Sequence, residues 1–192
     1  LGIGWGDVVA IIGCGGKTSL MRRLAQELRQ GRVVVSTTTR IQAPPAAMID
    51  HTIGPEDTLD AGASLLHGGE LPGGKLRSVP PEVFSRFASG GAVLLVEADG
   101  SKMLPLKGWA DYEPVIPEAT TVTVGVCTLW PIGEAMSGQN THRPGLFSAL
   151  TGIREGDPIT LASIADMIAA PGGMFAKAQG RLVLFISQVN TG

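Results

Sequence analysis

Val8-Val9-Ala10-Ile11-Ile12-Gly13-Cys14-Gly15-Gly16-Lys17-Thr18-Ser19 decides how the rest of the chain is read. Five apolar residues without alternation predict a parallel strand covered on both faces. Three glycines in the next four positions let the backbone curl and gather its N–H groups around an oxyanion. Lys17 adds a mobile positive charge, and Thr18 a hydroxyl suited to a magnesium ion. A helix opening at Lys17 would aim its positive end at the same anion. Together these make a triphosphate cradle, with Gly13, Cys14, Gly15, Gly16, Lys17, Thr18 and Ser19 as its nucleotide-binding candidates.

The spacing is Gly-x-x-Gly-Lys-Thr, shorter than the Walker A loop, whose first glycine would fall at Ile11. It resembles the compact P-loop of the Mur ligases, which keeps an ATP-dependent kinase or ligase open as an alternative. The plainer alternative is a glycine turn in an ordinary strand–helix unit.

At 192 residues the chain has room for one α/β domain with a full core, read as a single unit over 1–192 with a loop-rich insertion at about 41–80. Hydrophobic residues at 44% against 17% charged exclude a disordered chain. A net charge of −2 without any basic run argues against nucleic acid or an acidic membrane surface as partner. No apolar stretch approaches a transmembrane span. Two cysteines, Cys14 and Cys127, frame neither a disulfide scaffold nor a four-thiolate zinc site, which points to a reduced cytoplasm. The chain opens on Leu1 and stops soon after its last expected strand, so a natural start and a closing C-terminal helix are expected to lie outside it.

Outward from the cradle, Leu20, Leu24 and Leu28 predict a helix over 17–30 with Gly31 as its stop. A strand over 32–35 ends in Ser36-Thr37-Thr38-Thr39-Arg40. In open α/β sheets ligands sit beyond the carboxyl ends of strands, which makes Thr37, Thr38, Thr39 and Arg40 candidate substrate or phosphate contacts; a capped turn is the alternative. Leu59, Ala63 and Leu66 predict a helix over 57–67, and Val83, Phe84 and Phe87 another over 81–88. His51 and His67 read as solvated or capping residues.

Val93-Leu94-Leu95-Val96-Glu97-Ala98-Asp99-Gly100-Ser101-Lys102 carries the second motif, an apolar strand ending in carboxylates. Two residues apart, Glu97 and Asp99 point the same way if the strand continues. One would hold magnesium with Thr18; the other would orient or deprotonate the nucleophile. Lys17, Glu97 and Asp99 are therefore the catalytic candidates, and Thr18, Glu97 and Asp99 the metal candidates. Ser101 and Lys102 add substrate contacts or form a solvated turn. Further on come a strand over 121–127, helices over 145–150 and 161–170, and a strand over 181–186. His142 and Arg143 are expected to contact an anion or a carbonyl; the alternative is a helix capped by Asn140 or Thr141. Arg40 or Arg143 would stabilise transferring charge. The fold these predict is a three-layer, P-loop-like α/β domain, a mostly parallel sheet with helices on both faces.

These residues resemble the YqeC family, described as accessory or selenium cofactor biosynthesis proteins of selenium-dependent molybdenum hydroxylases. The resemblance rests on the glycine loop, Ser36 to Arg40, Glu97-Ala98-Asp99-Gly100-Ser101-Lys102, Leu104-Pro105-Leu106-Lys107, Glu113-Pro114-Val115-Ile116-Pro117, His142-Arg143-Pro144 and Glu155-Gly156-Asp157-Pro158-Ile159-Thr160. It implies a magnesium-dependent nucleoside triphosphate-hydrolysing accessory protein in molybdenum–selenium cofactor maturation, with a molybdenum hydroxylase or its cofactor as partner. The family commonly closes its last strand with Asn-Lys-x-Asp, a guanine-reading block. Here Ser187-Gln188-Val189-Asn190 stands in that place. The neutral Asn190 cannot make the charge-assisted pair with guanine, which leaves ATP and GTP both open. Beside the hydrolase and the kinase or ligase stands a third reading, a nucleotide-gated carrier using the thiols of Cys14 and Cys127.

Overall fold

The computed structural model describes residues 1–39, 41–42 and 44–188, and of Ile41 and Gln42 the backbone alone. In chain order the elements are β1 (Val8–Gly13), α1 (Lys17–Glu27), β2 (Arg32–Thr37), β3 (Ile41–Gln42), β4 (His51–Ile53), β5 (Gly62–Leu66), β6 (Glu70–Leu71) and β7 (Lys75–Leu76). There follow α2 (Pro81–Ser89), β8 (Val93–Glu97), β9 (Leu106–Lys107), β10 (Val122–Thr128), β11 (Thr141–His142), α3 (Pro144–Thr151), α4 (Leu161–Ala169) and β12 (Arg181–Ser187).

Seven strands form one sheet in the order β12-β10-β1-β8-β2-β5-β4, every pairing parallel. The run of apolar residues in β1 has the expected cause: Val8 to Ile12 are no more than 1% exposed, because both faces of the strand are covered. Val9 and Ile11 pack with Leu20, Met21, Leu24 and Ala25 of α1 on one face. Val8 packs with Phe84 and Phe87 of α2 on the other, and Ala10 and Ile12 with Phe147 of α3 and Ile164 and Met167 of α4. The chain thus adopts the expected layered α/β arrangement, with the carboxyl ends of β1, β8 and β2 on one rim.

The helix expected over 57–67 is instead β5, with β4 beside it at the sheet edge. The spacing of Leu59, Ala63 and Leu66 fits a helix, but Gly62 to Leu66 are all buried and pair with both β2 and β4. Pairing on two sides outweighs local periodicity here. Part of the expected insertion is therefore central sheet; β3, β7 and β6 form a separate small antiparallel sheet. α1 ends at Glu27, short of the expected 30. The C-cap is Leu28, so Gly31 is not the helix stop; it lies under the ring of the exposed Trp5.

Candidate functional site

β1 delivers the chain to the rim, and the glycine loop turns it into α1. Gly13, Gly15 and Gly16 all have positive φ, at 95°, 76° and 130°. A Cβ on Gly13 would lie 2.2 Å from the Val126 carbonyl oxygen, and one on Gly15 would lie 2.5 Å from Thr128 Cγ2. Only glycine meets both demands. Ser187 of β12 donates to the Gly15 carbonyl and braces the loop from outside. Gly16 caps α1 without a side-chain bond. Among the described residues the backbone N–H groups of Gly15, Gly16, Lys17, Thr18 and Ser19 find no acceptor in the protein. Five orphan donors at a helix N-terminus make an anion nest.

Lys17 leans back over this nest. Its Nζ donates to the Gly13 carbonyl at 2.6 Å and lies 3.0 Å from Asp99 Oδ1 and 3.8 Å from Glu97 Oε1. Burial alone would lower its pKa; the charges of Asp99 and then Glu97 outweigh that and hold it above the ordinary lysine value. Lys17 is therefore a cation.

The two carboxylates have separate fates. β8 ends at Glu97, so the alternation that would align Asp99 with it does not continue. Asp99 is completely buried and saturated. It accepts from Gly13 N–H at 3.1 and 3.2 Å, from Trp109 Nε1 at 2.9 Å and from Lys107 Nζ at 3.0 Å, besides pairing with Lys17. Asp99 does not line the cavity. Glu97 does, makes no side-chain hydrogen bond among the described residues, and has its pKa pushed up, chiefly by burial and against the pull of Lys17. Of the pair, Glu97 alone faces the cavity.

The nest opens into a cavity of about 780 Å³. Thr18, Ser19, Glu97, Ser101, Lys102 and His142 line it, with Glu113 and Trp130. Burial, followed by the charges of Arg143, Lys107 and Lys102, lowers the His142 pKa, so its imidazole is neutral near pH 7. Lys102 and Met103 hold left-handed backbone at φ 51° and 61°, two consecutive non-glycine residues at the cavity rim.

Other expected contacts lie elsewhere. Thr37 donates to the Glu97 carbonyl, Thr39 N–H donates to Thr37, and Thr38 donates to the Val115 carbonyl. The hydroxyl cluster therefore caps a turn under Glu97. Arg143 is paired with Glu113 at 2.6 and 3.1 Å and with Tyr112 at 3.1 Å, and α3 starts after it without a side-chain cap. Asn140 accepts from Ser137 N–H rather than capping that helix. Arg40 and Asn190 lie outside the described residues. Cys14 and Cys127 are fully buried; burial pushes the Cys14 thiol up to about 12 and raises that of Cys127. Both pack in the core, which weighs against the thiols in the carrier reading.

Sequence reasoning gave no role to Lys107, Trp109 or Glu113. Lys107 is fully buried and also lies 2.8 Å from Glu113 Oε2. The available signals were the two family blocks that hold Lys107 and Glu113, and a lysine set between Leu106 and Gly108-Trp109, an apolar setting for a charge.

Metal fit can be judged from the donors. Among the described residues no group of three or more His, Cys, Asp or Glu is placed to hold an ion alone. Thr18 and Glu97 supply hard oxygens beside the anion nest, which suits magnesium shared with phosphate oxygens. Among the described residues no helix is long and apolar enough to cross a membrane.

A family model described as YqeC protein matches residues 9–145. A curated relative, the uncharacterized protein YqeC of Escherichia coli (strain K12), is 31% identical over 193 aligned positions, covering 94% of this chain and 75% of that protein. No solved structure matches the chain.

Proposed function

The chain belongs to the YqeC family, and on that footing we propose that it binds and hydrolyses a nucleoside triphosphate. The observation that carries the reading is the row of five unpartnered N–H groups from Gly15 to Ser19 beneath the Lys17 cation. The N–H groups receive phosphate oxygens, and Lys17 moves from Gly13 and Asp99 onto the terminal phosphates. Thr18 would be the hydroxyl ligand of magnesium, which when bound would neutralise phosphate charge, and Glu97 is left as the base. Glu97 takes the proton of an attacking water; the new O–P bond forms at the γ-phosphorus as the bond to the bridging oxygen breaks. ATP and GTP both fit this part of the site. The family resemblance supplies the pathway in which we place the reaction, maturation of a molybdenum–selenium cofactor enzyme.

One observation favours a second reading, ATP-dependent transfer to a small molecule. The cavity runs past the nest to Ser101, Glu113, Trp130 and His142, leaving room for an acceptor. Phosphate release from ATP and from GTP, with magnesium, tests the hydrolytic reading. Glu97→Gln is expected to slow release by about 10²-fold or more while triphosphate binding is retained. Unchanged release in Glu97→Gln would remove the base from this mechanism. Binding without release, with turnover appearing only when a small-molecule acceptor is added, would favour transfer.

A further inference from the structure

We propose that Lys107 is a positioning residue for the phosphate-binding lysine. By occupying the far oxygen of Asp99, it leaves Lys17 held loosely enough to be drawn onto a triphosphate. The proposal rests on the nucleotide reading above and deepens it.

The geometry divides Asp99 into two halves. Oδ2 takes Lys107 at 3.0 Å and Trp109 Nε1 at 2.9 Å, while Oδ1 faces Lys17 at 3.0 Å. Gly13 N–H lies within reach of both oxygens, so the same carboxylate also fixes the first turn of the loop. Lys107 donates to Asp99 and to the Gly100 carbonyl at 2.6 Å, and pairs with Glu113 at 2.8 Å. It does not line the cavity itself, so its effect on ligands passes through its partners: Asp99, which holds Lys17, and Glu113 and Gly100, which line the cavity.

Its place is set from the far side. β9 pairs with β11, and Gly108 N–H donates to the His142 carbonyl. A Cβ on Gly108 would lie 2.4 Å from the Phe147 nitrogen, so β9 sits hard against the start of α3. Arg143 grips Glu113 from the same end. The result is a line of alternating charge, Lys17–Asp99–Lys107–Glu113–Arg143, with the cradle at one end. Remove the central cation and Lys17 is the one cation left paired with buried Asp99 among the described residues, and a phosphate must then pull it from a stronger competitor.

The test compares wild type, Lys107→Met, the double variant Asp99→Asn/Lys107→Met and Lys177→Met, a surface lysine, as control. Two quantities are read. One is the affinity for the non-hydrolysable triphosphates adenylyl and guanylyl imidodiphosphate against ADP and GDP. The other is the side-chain Hε–Cε NMR signal of Lys17. Lys107→Met is expected to cut the triphosphate-over-diphosphate preference about tenfold, because Lys17 serves the terminal phosphates. The Lys17 signal shifts in the same variant. The double variant, which also removes the competing charge, regains most of the preference. Lys177→Met matches wild type in both readouts. Should Lys107→Met fail to fold, Trp109→Phe removes a single bond to the same oxygen and is expected to move both readouts in the same direction by less.

A purely structural Lys107 would weaken both nucleotide classes equally and leave the Lys17 signal in place, and that result overturns the proposal while wild-type binding stands. Absence of binding by the wild type overturns the nucleotide reading instead. The Lys17 signal then decides whether Lys107 sets the position of Lys17 at all, and an unmoved signal rejects it.

Discussion

Exchanging either carboxylate near the cradle for its amide should separate their roles by stability. Asp99 is fully buried and faces two lysines that are themselves buried, Lys17 at 5% and Lys107 at 0% exposure. Asp99→Asn keeps the shape but leaves two ammonium groups with less compensating charge, and turns an amide N–H₂ toward donors. Breaking a buried pair in this way costs about 3–5 kcal/mol. For a chain of 192 residues that corresponds to a fall in Tm of about 6–20 °C. The Glu97 carboxylate has one ion pair at 3.8 Å, no hydrogen bond within 3.5 Å among the described residues, and a charge that burial disfavours. Glu97→Gln should therefore change stability by no more than about 1 kcal/mol. Urea unfolding followed by circular dichroism, with the slope m unchanged, together with thermal melts, gives both numbers. The reasoning is refuted if Asp99→Asn is as stable as wild type, or if Glu97→Gln is the more damaging of the two.

Other expectations follow from the same geometry. Glu113 has an ordinary value of 4.5; burial would raise it, but hydrogen bonds from Arg143 and Lys107 prevail and hold it at about 2. A depressed folded value means stability that is complete above about pH 4.5 and lost as pH falls toward 2, so Glu113→Gln should flatten that part of the stability–pH curve; an unchanged slope would contradict the pairing. Cys14, with its thiol near 12, should resist thiol reagents at pH 8 until the protein unfolds, and rapid labelling of the native protein would return the thiols to the carrier reading. Gly13→Ala should lower Tm far more than Gly69→Ala. Both positions have positive φ, but a Cβ at Gly13 strikes the Val126 carbonyl, whereas nothing lies within 4 Å at Gly69; equal losses would show that the clash is relieved.

Much of this site was legible in the sequence because its signals are local. The buried strand, the glycine turn and the helix start are contiguous, and each residue type there has a physical reason visible in the sequence itself. The apolar run of β8 ending in carboxylates was equally direct. Which carboxylate faces the ligand was not, because the answer depends on the strand ending at Glu97 and on partners 8 and 10 residues beyond Asp99. Lys107 drew no role for a related reason: a lysine in a short apolar run reads as a side chain reaching for water, and only the fold shows that it has none to reach. β4 and β5 were missed because one is only three residues long and the other opens on Gly-Ala-Ser, so both gain their stability from neighbours rather than from their own pattern. Thr37, Thr38 and Thr39 mark the rim as expected, yet their hydroxyls serve the backbone beneath Glu97 and Val115.

The central claim is that the loop from Gly13 to Ser19 is a triphosphate cradle worked by Lys17. Calorimetric titration of the protein and of Lys17→Ala with ATP and GTP analogues, each with and without magnesium, tests it most directly. The account predicts saturable, magnesium-dependent binding of at least one triphosphate by the wild type, abolished in Lys17→Ala. Binding of neither triphosphate, or equal affinity in Lys17→Ala, would contradict it.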